Sequence, residues 1–195
     1  MRTARLEAFS DGVLAIIITI MVLELKVPHG HELADLRPLL PKFGSYALSF
    51  VFIGIYWGNH HHMLHAASRV NGAILWSNLH LLFWLSLVPV VTEWMGENGY
   101  AQVPVAVYGL VMLLAGIAYY ILARTLVHEH GPESQIAVAL GNDAKARLSV
   151  LLYAIAIGMA FVNTRIAIAT YVIVAIMWLV PDRRMAKVAT HSGAS

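Results

Sequence analysis

Three groups of residues in this chain have the types and spacing to do chemistry. Ser10 and Asp11 stand where a polar helix start, RLEAFSD, turns into the apolar run GVLAIIITIMVL. Trp57, Asn59, His60, His61, His62 and His65 form a second group, and Trp76, Ser77, Asn78 and His80 a third, each set in an otherwise apolar stretch. His61 and His65 are four apart and share a helical face with Trp57, so two imidazoles can point at one ion. With His80 as a third ligand and Asp11 as a fourth, the constellation would suit an intramembrane metal-dependent hydrolase, in which the metal activates water. Its pattern is unspecific, since HHH followed by H is not a zinc spacing and no HExxH occurs. Hydrogen-bonded packing accounts for the same histidines, and no metal or other cofactor is expected. His29, His31, His128 and His130 fall in loops and share no role.

The elements that must hold these residues are membrane spans. Of 195 residues, 59% are hydrophobic and 12% charged, about half the charge of a soluble domain of this size. The formal charge of +2 is ordinary for a membrane protein with basic loops and does not point to nucleic acid. The lack of cysteine excludes disulfides and thiolate chemistry. Apolar segments of spanning length cover about 5–27, 43–65, 71–94, 101–127, 146–163 and 165–180. The chain is therefore expected to be an all-α, polytopic membrane protein with six transmembrane helices per subunit. Residues 1–185 form one unit and 186–195 a short cytoplasmic tail. Pro28, Pro38 and Pro41 punctuate the first loop, and a polar segment from His128 to Lys145 separates the fourth and fifth spans. A secondary transporter would be favoured by inverted repeats and broken helices. No repeat is evident, and Pro89 and Pro104 read as terminal prolines.

Lysines and arginines set the orientation. A cytoplasmic amino terminus puts Arg2, Arg5, Arg69, Arg124, Lys145, Arg147, Arg183, Arg184 and Lys187 inside, against Lys26, Arg37, Lys42 and Arg165 outside. Nine against four places both termini in the cytoplasm of a cell-membrane protein. The first span is not a cleaved secretory signal: Asp11 interrupts its start, and Glu24, Lys26 and Pro28 stand where a small-x-small cleavage site belongs.

As a helix at about 100° per residue, the first span has two faces. Arg5, Phe9, Gly12, Thr19, Ile20 and Leu23 all lie within about 60° of Ile16, whereas Asp11 lies near 220°. An aspartate at a bilayer centre costs about 2.5–3.5 kcal/mol, so intramembrane acids face protein or water and find partners. Ser10 and Asp11 are expected to bond donors on the second and third spans, from among Trp57, Asn59, His60, His61, His62, His65, Trp76, Ser77, Asn78 and His80, with Arg5 and Phe9 counted in the same structural network. Arg5 either reaches back to the acid or sits at an inner mouth. A helix apolar on nearly every face does not itself mark which face lines anything.

Arg5, Phe9, Ser10 and Asp11 match an RxxxFSD motif, followed by a run of isoleucines and Thr19. This resembles a bacterial member of the endolysosomal potassium-channel family, transmembrane protein 175. The resemblance extends over all six spans, with its specificity in the first helix and the polar groups of spans two and three. It implies a homotetrameric cation channel in membrane lipid, passing monovalent cations and selective for potassium over sodium, with the first helix of each subunit lining the axis. Four copies of one lining helix would close a ring. By position in the motif, Ile16 would be a narrow hydrophobic constriction, with Ile20 and Leu23 further outward and the Thr19 hydroxyl near the ion path. A narrow aliphatic ring empties of water and blocks ions, so gating by dewetting follows. Familiar potassium channels select with TVGYG carbonyls. Gly96 to Tyr100 reads GENGY and does not match. Dehydration at the isoleucine ring, assisted by Thr19, is the expected source of selectivity.

Overall fold

The computed structural model describes residues 3–28, 30–134, 136–137 and 144–179. Arg2, His29, the end of the sixth span at residue 180, Arg183, Arg184, Lys187 and the tail 186–195 lie outside the described residues. Helices follow where apolar runs are free of internal proline: α1 Thr3–Leu23, α2 Leu40–His65, α3 Gly72–Ser86, α4 Val88–Glu97, α5 Gln102–His130, α6 Ala144–Ala160 and α7 Thr164–Leu179. These make the six spans of an all-α, polytopic membrane protein, with α3 and α4 sharing the third. The stretches 3–23, 33–65, 72–97 and 102–130 are long and apolar enough to cross a bilayer, while α6 and α7 are shorter, at 17 and 16 residues.

Local chemistry sets the boundaries. Asn71 caps α3 by accepting the Ile74 N–H at 2.9 Å. Pro41 sits in the first turn of α2, where its missing N–H costs nothing. Before α2, a 3-10 turn over Leu33–Leu39 is started by a reciprocal cap between Glu32 and Asp35. Pro89 departs from its expected place at a span end: it lies mid-span, in the first turn of α4. Having no N–H, it cannot bond the carbonyl four residues back, and the Leu87 N–H turns to the Trp84 carbonyl at 3.2 Å. The third span breaks there. Pro104, near the start of α5, is terminal.

Contacts between helix ends fix the up-and-down arrangement. At the amino-terminal end of the bundle, Thr3 donates to the Ala67 carbonyl at 3.2 Å, and Asn71 donates to Glu129 at 2.7 Å. At the far end, Tyr100 donates to the Pro41 carbonyl at 2.7 Å, Lys42 pairs with Glu97 at 2.8 Å, and Gln102 donates to the Phe161 carbonyl at 3.1 Å. Between the ends, several polar groups pair across helices. Ser49 bonds Thr92 at 2.7 Å and Tyr108 at 3.1 Å, tying α2, α4 and α5 together. Tyr171 of α7 donates to the Val105 carbonyl at 3.0 Å. Its hydroxyl comes so close to Gly109 that a Cβ there would collide with it, so glycine is required.

Candidate functional site

Helix α1 packs on α2, α3 and α4 through Leu6, Ser10, Leu14, Ile17 and Met21, all buried. These recur at three or four residues, one stripe of an α-helix. Ser10, wholly buried among them, donates to the Leu6 carbonyl at 2.9 Å and accepts from Asn78 Nδ2 at 2.9 Å. Because the Asn78 amide nitrogen faces Ser10, its oxygen faces His60 Nε2, at 2.6 Å. That oxygen can only accept, so Nε2 carries the imidazole proton. Three helices thus meet in one buried chain, His60–Asn78–Ser10. The His60 Nδ1 atom is buried without a partner among the described residues.

A second, more exposed layer lies on the α2 side. Trp57 Nε1 donates to Asp11 Oδ1 at 3.0 Å, and His61 Nδ1 meets Glu7 Oε1 at 2.6 Å. Glu7 and Asp11 are one turn apart, as are Trp57 and His61, so two rungs join α1 to α2. The Trp57 and His61 rings stack at 6.2 Å, and the stack continues to His65 at 5.9 Å.

Not every residue named from sequence is here. Trp76 is 72% exposed and takes no part. His80 accepts from Trp84 Nε1 on its own helix at 2.9 Å. Both miss the site because, two residues either side of Asn78, they project about 160° away from it. Among the described residues no three His, Asp or Glu side chains are placed to hold one ion, so the four groups named for a metal site are not brought together. Arg5 forms no ion pair with Asp11 and is exposed, on the same side of α1 as Phe9. One participant, Glu7, was not named from sequence, although its four-residue spacing from Asp11 was a signal. His60 was named only as one of a run of three histidines.

The opposite face of α1 is uncovered. Phe9 is 53% exposed, Ile16 58%, Ile20 42% and Leu23 79%. Gly12 and Thr19 are exposed on the same face. The Thr19 hydroxyl donates to the Ile16 carbonyl at 2.9 Å, which uses its proton within the helix and leaves oxygen lone pairs facing outward.

A family model described as endosomal/lysosomal potassium channel TMEM175 matches residues 5–89, from Arg5 into α4, and so contains Ser10, Asp11 and their hydrogen-bond partners on α2 and α3. The chain is 51% identical over 187 residues to a potassium channel of Chryseobacterium sp. (strain P1-3), covering 96% of this chain and 97% of that one. To a potassium channel of Streptomyces collinus it is 33% identical over 187 residues, covering 90% and 91%. It is also similar to the crystal structure of a lysosomal potassium-selective channel TMEM175 homolog from Chamaesiphon minutus, with 28% identity, a TM-score of 0.77 and coverage of 91% and 96%. The chain belongs to the TMEM175 family of potassium channels.

Proposed function

We propose that this member of the family is a potassium-selective cation channel of the cell membrane, a homotetramer with both termini cytoplasmic and α1 of each subunit lining the axis. Ile16 forms the constriction, Ile20 and Leu23 continue the apolar face outward, and Arg5 stands at the inner mouth. Permeant potassium is cargo, and no reaction or resident cofactor is assigned. The observation that carries the reading is the division of α1: one face is held by buried polar bonds to α2 and α3, while the other leaves large aliphatic side chains uncovered. A ring of four such faces is closed by symmetry.

The mechanism follows from the side chains. An aliphatic ring of Ile16 holds no water when narrow and must widen to conduct. An ion passing it sheds part of its hydration, and the loss is dearer for sodium, whose shell is held more tightly. The Thr19 hydroxyl, its proton already given to the Ile16 carbonyl, offers only oxygen lone pairs to a cation one turn outward of the ring. The polar anchor keeps α1 in register while the constriction changes width.

The chain contains no cysteine, so single cysteines report position cleanly. Under this reading a thiol-reactive cation blocks current through Ile16→Cys and Leu23→Cys. It leaves Phe83→Cys, on an exposed part of α3, unaffected. Equal sensitivity of all three, or block of none, overturns the assignment of α1 to the path.

A further inference from the structure

A cavity of about 350 Å³ lies away from α1, among α2, α5, α6 and α7. Its size falls within the range of about 300–1,000 Å³ found for small-molecule sites. The walls are apolar, with Phe52, Leu113 and Ile117 among them, and the phenols of Tyr56 and Tyr119 meet edge to face at 6.1 Å. Ile117 and Val150, which also line it, are 36% and 39% exposed, so the cavity communicates with the outer surface of the bundle. In a spanning chain that surface faces the hydrocarbon.

Charge tells what enters. Arg147, in the first turns of α6, lines the cavity and is exposed at the amino-terminal end of the bundle, where Lys145 and Arg124 also stand. Among the described residues, no Asp or Glu lines it. Nearby, Trp178 donates through Nε1 to Ser149 Oγ at 2.8 Å, an aromatic ring with its polar edge satisfied, the arrangement that suits the headgroup level. An apolar slot inside the span, ending at a guanidinium where the bilayer becomes polar, matches a molecule with a hydrocarbon chain and an anionic head. Basic pockets between membrane helices are known sites for such lipids. A water-soluble anion would gain nothing from the slot, and a zwitterionic lipid, whose phosphate is offset by its own cation, gains less from Arg147 than an anionic one.

We propose that this cavity binds an anionic phospholipid, with one acyl chain in the slot walled by α2, α5, α6 and α7 and its phosphate on Arg147. The site is distinct from the ion path and does not depend on it.

The test is native mass spectrometry of the purified, delipidated full chain, titrated with phosphatidylglycerol and with phosphatidylcholine of identical acyl chains. Phosphatidylglycerol is expected to bind about tenfold more tightly, the equivalent of one charge-assisted contact. Arg147→Gln should remove that preference while both lipids still bind weakly. A Cβ at Gly116 would meet only Tyr56 Oη, at 3.7 Å, so Gly116→Leu fills the slot without striking backbone and should lose both lipids. Ile117→Trp fills it from the rim, and unchanged elution on size exclusion establishes folding of each variant. Equal affinity of the unaltered chain for the two lipids overturns the proposal, as does a preference retained by Arg147→Gln and by both filled variants. A changed oligomer mass in Gly116→Leu with no lipid dependence overturns it too, and makes the slot a contact between subunits.

Discussion

The two faces of α1 run side by side for the same length, and their chemistry is opposite. On one, Leu6, Ser10, Leu14, Ile17 and Met21 are sealed against the bundle, and every hydrogen bond of Ser10 is made inside it. On the other, the large aliphatic side chains of Ile16 and Leu23 are left bare by the rest of the described residues. Apolar packing alone holds a helix weakly in lipid, because the tails are as apolar as the partner. Directional bonds must fix its rotation. The comparison teaches that the polar residues of this helix serve orientation, and that the greasy face is free because the polar one is anchored.

Breaking the anchored face should have the largest effect. Asn78→Leu removes the donor to Ser10 Oγ and leaves the His60 N–H without its acceptor, and a buried unpaired group costs about 1–3 kcal/mol. The expected outcome is loss of a monodisperse oligomer in size-exclusion chromatography. Substituting the open face should instead spare assembly and change conduction. With Ile16 as the proposed constriction, Ile16→Asn places amides in it, so current at rest should rise severalfold and the potassium-to-sodium ratio fall toward one in planar-bilayer recordings. One residue on, Ile17→Asn enters the sealed face and should destabilise rather than leak. Thr19→Val keeps the shape and removes the oxygen. It should lower the permeability ratio by about fivefold, equivalent to ~1 kcal/mol, with little change in thermal stability. The smallest effect is expected from Trp57→Phe, which removes the donor to Asp11 from a half-exposed site. A loss of about 1 kcal/mol or less in thermal unfolding is predicted.

Most of the fold was legible because membrane spans announce themselves by length and hydropathy. The break at Pro89 was not, since an apolar run continues through it and only backbone bonding reveals the division between α3 and α4. The site was legible where residue and face coincide. Ser10, Asp11, Trp57 and Asn78 could be named from a polar residue in an apolar run. His60 could not be separated from His61 and His62, because successive residues at about 100° face three directions and only the neighbouring helices decide which meets Asn78. Trp76 and His80 drew notice by type, although the wheel already turned them from Asn78. The uncovered face of α1 was visible as a stripe, but its exposure depends on which side the anchor grips.

The most direct measurement is the reversal potential of the purified, reconstituted protein in a planar bilayer, with potassium on one side and sodium on the other. A reversal near the potassium equilibrium potential, abolished toward zero by Ile16→Asn, is the predicted result. A reversal at zero in the unaltered protein, with the oligomer verified intact, would contradict the account.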